Sequence, residues 1–551
     1  MDKIWLKQYP PGVPAEGDIL QCSSLRDLIE HSLSIHAQRD AYVLMDKRLS
    51  YAQIDQLSAH FGAWLQQQGF AKGERIAVML PNLLQYPVVM LGAIRAGLVV
   101  VNTNPLYTAD ELRHQLNDSG ATAIVILENF CHVLQKVIGQ TQVRRVVVTQ
   151  VGDLLGFPKG LLVNSVLRWV KKAIPAWHID GALRLPAVLS AARGAALQPV
   201  ALNHDDLAFL QYTGGTTGVS KGAMLSHGNM VANVLQSRAW HEQVPIQHAT
   251  YVIALPLYHI FSLTANCLLY MLVGGCGILV PNPRDFPAFV KELIKHPPNT
   301  LNGVNTLFNA LMDSPDFKRI DFSGLVATMG GGMAVQAAVA ERWRMMTGCT
   351  LSQGWGLTET SPVVTATRMA DTQFNGSIGL PIPSTEVSVR DDDGNAVPLG
   401  GSGELCVRGP QVMKGYWQRP DETANVMLPD GWLRTGDVGR MDEQGWFYIE
   451  DRKKDMITVS GFKVYPNEVE ALAVRHPGVF EAAAVGQPDP HSGEIVTLYV
   501  VRRTPDVSAE DIIAFLRQSL TSYKVPRKVF FRDSLPKTNV GKILRRALRE
   551  T

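Results

Sequence analysis

The segment YTGGTTGVSKGA, residues 212–223, gathers three glycines (Gly214, Gly215, Gly218), four hydroxyls (Thr213, Thr216, Thr217, Ser220) and one ammonium (Lys221). Glycine permits left-handed torsions and brings amide N–H groups close to a ligand, while hydroxyls add donors and lysine adds a compact charge. The set suits a polyanion such as a phosphate chain. It is not a Walker loop, in which a Ser or Thr follows the lysine to reach a metal, because Gly222 follows Lys221. Alone, a Gly/Thr/Ser run reads as a surface loop. Its flanks argue for a built site: residues 207–210 read as a buried strand, and Ser226 reads as the start of a helix.

Three further charged residues sit in short glycine-containing turns. Glu359 lies in QGWGLTET (residues 353–360), a lone carboxylate that suits magnesium, an ion that prefers oxygen ligands and keeps several waters. Asp437 lies in GWLRTGDVG (431–439), fifteen residues before Arg452, and a carboxylate so placed can accept from both hydroxyls of a ribose. Lys542 lies in PKTNVGKILRR (536–546) and reads as the start of a basic helix. Taken singly, these read as a helix-start residue, an ordinary turn and a solvated charge.

The elements that must position these residues follow from pattern. With 551 residues, 46% hydrophobic and 19% charged, the chain has the length of two or more domains and an ordinary globular composition. A net charge of +2 supplies no field for nucleic acid. Six scattered cysteines without a CxxC pair argue against a disulfide framework or a zinc site and suit a reducing compartment. The N-terminus shows no secretory signal. Runs at 75–82, 98–101, 123–127 and 143–149 alternate with helical patterns at 84–96 and from Thr108 to Gly120, which predicts an α/β fold with a parallel sheet and ligands at the carboxyl ends of its strands.

Residues 251–281 contain no charged side chain but are interrupted by prolines and glycines, and are expected to form a buried strand, a helix and a second buried strand rather than a membrane span. Residues 386–409 read as a hairpin in a small antiparallel β subdomain, with the triple-aspartate turn 391–395 solvated. The charge run 451–455 is expected to be a solvated joint between a large domain, residues 1–450, and a smaller α+β domain, residues 451–551. Between Lys159 and Trp177 a basic amphipathic segment carrying Trp169, Lys171 and Lys172 is open to two readings, packing on its own core or lying on an anionic bilayer.

The phosphate-type segment, LPLYHIF (255–261), QGWGLTET, GELCVRGPQVMKGYW (403–417), GWLRTGD, DRKKDMITVSGFKVYPNEVE (451–470) and PKTNVGKILRR resemble, in order, the motifs of the adenylate-forming (AMP-binding) superfamily. With LPNLLQYPVVMLGAIRAG and VNTNPLYT near the N-terminus, the chain is similar to bacterial long-chain fatty acyl-CoA synthetases. The resemblance implies an AMP-forming acid–thiol ligase that uses ATP, Mg²⁺ and CoA on a long-chain fatty acid, feeding fatty acid degradation or lipid synthesis. By resemblance, Tyr212, Thr213, Gly214, Gly215, Thr217, Gly218 and Lys221 hold phosphates; Trp355, with Gly356 and Thr358, replaces the usual tyrosine on adenine; Asp437 and Arg452 hold ribose. Thr216 and Glu359 serve catalysis and magnesium, and Lys542 bridges the carboxylate and the α-phosphate. His259, Gly331 and their neighbours line the acyl entrance. Lys454 marks the hinge about which the small domain turns to present the 460–462 turn, with Gly461, to the pantetheine of CoA.

Lys463 and Asp430 depart from the usual pattern and touch the CoA contacts rather than adenylation. The implied location is cytoplasmic. Peripheral contact with the inner face of a membrane and a homodimer remain open, and no nucleic acid partner is implied. An acyl-AMP ligase loading a carrier protein and a non-catalytic fatty-acid-binding partner are the competing readings. The first usually carries an insertion that is not seen between Asp437 and Lys454, and the second would lack Lys542 or an intact 212–223 segment.

Overall fold

The computed structural model describes residues 3–18, 21–213, 220–538 and 540–549. Two extended sheets form the bulk of the molecule. The first runs Leu183–Arg184, Arg145–Thr149, Ala123–Leu127, Arg75–Met79, Val99–Asn102, Leu207–Thr213 and Lys221–Ser226, parallel throughout except for the last pair. The second has nine strands. Six of them, from Leu351–Gly356 through Ala327–Gly330, Thr300–Gly303, Thr250–Ile253 and Cys276–Leu279 to Asp40–Leu44, are parallel, and antiparallel strands close both edges.

Local chemistry sets these elements. Strands buried on both faces by crossover helices read as near-continuous Val/Ile runs, as Ala123–Leu127 does with every residue buried. The expected helix after Thr108 is Ala109–Ser119: Thr108 accepts from the Glu111 N–H, the Glu111 carboxylate accepts from the Thr108 N–H, and Gly120 ends the helix at φ 60°. Residues 250–279 form the expected strand, helix and strand, all deep in the core, and no described helix is long and apolar enough to cross a membrane.

An antiparallel sheet follows, Glu386–Arg390, Gly403–Arg408, Leu433–Met441 and Phe447–Arg452. From Ile457 onward a five-stranded sheet with helices Pro466–Ala473, Ala509–Arg517 and Arg545–Arg549 encloses hydrophobic clusters of its own, one centred on Val469, Leu498 and Ile512.

The strand expected at 207–210 and the helix expected to open at Ser226 both form, and between them Lys221–Ser226 adds a strand that returns antiparallel to Leu207–Thr213, with Tyr212 opposite Gly222. Two expectations need correction. The run 451–455 is not solvated throughout, because Asp451 is buried and accepts from the N–H groups of Arg452 (2.7 Å) and Asn467 (2.8 Å). Lys542 does not begin the last helix, which starts at Arg545. It closes a turn in which its carbonyl accepts from the Thr538 N–H at 2.7 Å and Gly541 takes φ 83°.

Candidate active site

The carboxyl ends of parallel strands converge on one cavity of about 600 Å³. Leu207–Thr213 delivers Tyr212 and Thr213, Thr250–Ile253 leads to His259, Ala327–Gly330 leads to Gly331 and Gly332, and Leu351–Gly356 delivers Trp355 and Gly356. Thr358, Glu359, Lys221, Arg452, Lys454 and Lys542 complete the predicted residues in its wall. A second cavity of about 510 Å³ adjoins it, shares Trp355, Gly356, Arg452, Lys454 and Lys542, and adds Asp437. Gly214, Gly215, Thr216, Thr217 and Gly218 lie outside the described residues.

One wall is a hydrogen-bonded array. Trp355 is buried, and its indole Nε1–H donates to Asp437 Oδ2 at 2.8 Å. The other carboxylate oxygen, Oδ1, has Arg452 Nε at 3.1 Å as an ion-pair partner yet accepts no hydrogen bond, although it is buried. A buried acceptor with spare capacity seeks a donor, and a sugar hydroxyl is a donor of that kind. Strand pairing sets the pair, because Asp437 and Arg452 are opposite in register. Gly356 keeps the following turn tight: a Cβ there would lie 1.9 Å from the Pro362 carbonyl oxygen.

The end of the cavity beside Tyr212 and Lys221 is charged on both signs. Lys221 pairs with Glu422, its ammonium sits 4.9 Å over the Tyr416 ring, and the Tyr416 hydroxyl donates to Glu359 Oε1 at 2.7 Å. The Tyr212 hydroxyl donates to Asp118 Oδ2 at 2.6 Å, and Arg419 holds the other oxygen at 2.8 Å. Burial, with the Asp118 carboxylate second, keeps the Tyr212 phenol protonated. Sequence reasoning gave no role to Glu422, Arg419 or Asp118; the last lies in a helix about a hundred residues from its partner, and no local pattern marks it.

Lys542 reaches this wall from the C-terminal layer. A Cβ on Gly332 would lie 3.2 Å from Lys542 Cε, so the absence of a side chain at Gly332, whose φ is +75°, lets the lysine stem pass. Burial, then the Arg452 and Lys454 charges, bring the Lys542 ammonium down to about 8, against the pull of Asp437 and Glu359. Burial first and Arg452 second also lower Lys454. His259 caps the helical stretch that opens at Ile260, its Nδ1 accepting from the Phe261 N–H. Burial and the Lys542 charge lower it to about 3. It is therefore a neutral imidazole whose proton is on Nε2.

Gly461 is not among the described residues of either cavity wall. With Ser460 it forms the two-residue turn of a hairpin, both at positive φ (50° and 83°). Phe462 beside it is exposed and stacks on Tyr523 at 4.9 Å. Asp430 pairs with Arg390 at 3.0 Å, away from both cavities.

For magnesium, Glu359 offers one oxygen beyond the one held by Tyr416, and no described cluster of three His, Cys, Asp or Glu residues could hold a metal. That donor set fits an ion bound through one carboxylate, substrate phosphates and water rather than in a protein cage.

Strand-end convergence, an indole–carboxylate pair and a lysine supplied from a separate layer define a nucleotide-dependent enzyme class, and the comparisons agree. Residues 29–417 match the AMP-binding enzyme family and residues 468–542 match the AMP-binding enzyme C-terminal domain, and the chain belongs to this family. It is 52% identical to the long-chain-fatty-acid–CoA ligase of Escherichia coli O6:H1 over 100% of this chain and 98% of that one, and 37% identical to that of Bacillus subtilis over the same shares. ATP-bound MatB from Rhodopseudomonas palustris superposes with TM-score 0.79 at 28% identity, covering 95% of this chain and 98% of that one. The anthranilate CoA ligase AuaEII, solved with anthranoyl-AMP, shares the fold at TM-score 0.84 and 23% identity, covering 96% of each chain.

Proposed function

We propose that the protein is an AMP-forming long-chain fatty acid–CoA ligase, in two half-reactions. In the first, a carboxylate oxygen of the fatty acid attacks the α-phosphorus of ATP and the bond to the β-phosphate bridge breaks, giving acyl-AMP and pyrophosphate. No general base is needed, because the acid is already ionised near neutral pH; the protein must orient the reactants and stabilise charge on phosphorus. In the second, the CoA sulfur attacks the acyl carbonyl and the carbonyl–phosphate bond breaks, giving acyl-CoA and AMP.

The observation that carries this reading is the enclosure of Lys542 in the same cavity as His259, Trp355, Glu359 and Lys221. Lys542 meets the carboxylate and α-phosphate; Trp355 stacks on adenine; Asp437 Oδ1 accepts from ribose; Lys221 and the 214–218 backbone hold phosphates. The His259 Nε2–H points the carboxylate end of the substrate, with the tail passing Phe261, Met329, Gly331 and Val363, which line the same cavity. Each buried methylene adds about 0.8 kcal/mol, so a longer tail binds better while the channel lasts. Glu359 and Thr216 would hold magnesium, which neutralises phosphate charge when bound.

The small domain, residues 451–551, turns about Lys454 between half-reactions and brings the Gly461 turn toward CoA. The near-complete coverage of curated fatty acid–CoA ligases favours CoA over a carrier protein as acceptor. The enzyme acts in the cytoplasm and at the inner face of the membrane where its substrate partitions. Pyrophosphate release measured across acids from acetate to oleate, with and without CoA, tests the reading: release should rise with chain length, and acyl-CoA should form only when CoA is present. Absence of AMP formation with palmitate and ATP would refute it.

A further inference from the structure

The helical stretch of residues 159–170 is inside out. In a surface helix of a water-soluble fold, apolar residues face the core and polar ones face solvent. Here Asn164 turns inward, accepting from the Gly152 N–H at 2.8 Å and donating to Gln150 Oε1 at 3.0 Å. Arg168 turns inward to the buried carboxylate of Glu128, at 2.5 Å, and Lys159 binds the Met45 carbonyl. Gly152 and Gly160 let the two segments touch, since a Cβ on either would lie 2.3 Å from the other's carbonyl oxygen.

Val163 packs against the core, but other apolar side chains are left outside. Phe157, Leu161, Leu162, Trp169 and Val170 are 64% to 89% exposed, and with Met345 they are the six most exposed large apolar side chains described. Eight residues of pure α-helix would rotate Trp169 about 80° away from Leu161. The segment changes to a wider π-helical turn over Val166–Val170, which reduces that rotation, and Trp169 and Val170 are exposed as Leu161 and Leu162 are.

The charge around this face is one-sided. Residues 154–179 contain no Asp or Glu, and Lys171 and Lys172 close the apolar face, both exposed and without an ion-pair partner among the described residues. An exposed apolar band with tryptophan and an unopposed basic end matches a bilayer whose surface is anionic: apolar groups enter the acyl boundary, indole takes the interface and ammonium groups meet headgroup phosphates.

The geometry points to residues 157–172 as the surface by which the enzyme docks on an anionic lipid bilayer. This rests on the ligase reading for its purpose, delivery of a membrane-dissolved acid, but not for its test. The purified full chain is floated with vesicles of phosphatidylcholine alone and with added phosphatidylglycerol, and decanoyl-CoA synthesis is measured separately without lipid. Wild type should float with the anionic vesicles. Lys171→Glu with Lys172→Glu should weaken that binding at least ~25-fold, about fivefold for each lysine charge lost, before the repulsion of the added carboxylates. Leu161→Ser, Leu162→Ser and Trp169→Ser together should weaken it at least ~100-fold. Both variants should keep wild-type decanoyl-CoA synthesis and unchanged circular dichroism.

The docking proposal is overturned if wild type stays with the unbound protein, if both variants float like wild type, or if wild type dimerises in sedimentation equilibrium through this face and binds no vesicle. Flotation by a wild type that makes no acyl-CoA would support docking and refute the ligase instead.

Discussion

The two sides of the candidate site are held in different ways. On the large-domain side, polar groups are fixed by neighbours in the same body: Trp355 by Asp437, Glu359 by Tyr416, and Tyr212 by Asp118. On the other side, Lys542 belongs to a turn whose own hydrogen bonds are local, to Thr538. Near the joint Lys453 reaches Asp392 at 2.6 Å and Asn467 donates to the Glu450 carbonyl at 3.2 Å; farther out, that layer meets the large domain at three polar contacts among the described residues. Thr306 Oγ1–H donates to the Gly541 carbonyl at 3.1 Å, Asn309 to the Phe480 carbonyl at 3.4 Å, and Arg503 lies 3.4 Å from Asp313. Beside the joint, Asp451 accepts from Asn467 and faces Arg545 at 3.8 Å. A pre-formed wall can serve every step, whereas a lysine on loosely docked scaffolding can serve one and withdraw.

The largest expected effect separates the two sides directly. Lys542→Ala should slow acyl-adenylate formation by about 10²–10³, the loss of one buried donor aimed at developing charge, and should leave thioester formation from supplied acyl-AMP within a few-fold. Equal losses in the two half-reactions would show that Lys542 is part of a fixed wall. Its charge gives the same contrast through pH. Because the ammonium is held down to about 8, the cationic form is lost as pH rises through that value. Adenylation should then fall about tenfold per unit above it, while the thioester half-reaction lacks that limb. Bound carboxylate and phosphate favour the cation, so the limb of kcat should lie at higher pH than that of kcat/KM.

Asp437→Ala should act on both half-reactions, since AMP occupies the site in each. Removing a charged acceptor in a buried hydrogen bond costs about 1.5–3 kcal/mol, or roughly 10–100-fold, read as raised KM for ATP and weakened AMP affinity in calorimetry. A loss confined to one half-reaction would break the comparison from the other side. Glu422→Gln should do the opposite. The carboxylate pairs with Lys221; with Lys221 holding phosphate as proposed, its neutralisation should tighten ATP by a few-fold and slow pyrophosphate release.

The fold was legible wherever burial wrote itself into local pattern. The Val/Ile strands, the Thr108 cap and the charge-free stretch 251–281 each carry their own signal, and each formed as expected. The candidate site was legible through motifs that resemble those of a family, and the structure brings the distant residues Lys221, His259, Trp355, Glu359 and Lys542 of those motifs to one cavity. What could not be read depends on distant partners. Lys221–Ser226 has strand alternation too short to distinguish from a loop until it pairs with Leu207–Thr213. Asp451 sits in a run of charges, yet it is buried because Asn467 and Arg545 come to it. Arg168 and Asn164 have the composition of a solvated helix face and turn inward because Glu128 and Gln150 wait there. Periodicity fixes which residues share a face but not which face meets water.

The smallest effect should come from loosening the docked layer without touching the cavity. Asp313 is half-exposed and lies between Arg342 of the large domain, at 2.7 Å, and Arg503 of the small one, at 3.4 Å. Exposed pairs of this kind contribute about 1 kcal/mol or less, so Asp313→Ala should shift the orientation equilibrium by no more than ~5-fold. If the orientation seen here is the one that forms acyl-AMP, the shift lowers the adenylation rate by up to that factor. Thioester formation is then left unchanged or slightly raised, since a weaker dock makes the turn about Lys454 easier. Single-turnover rates for the two half-reactions, measured side by side, resolve a change of this size. Equal slowing of both would mean that Asp313 supports the large domain itself, through Arg342, and that the contact with Arg503 does not hold the small domain in place.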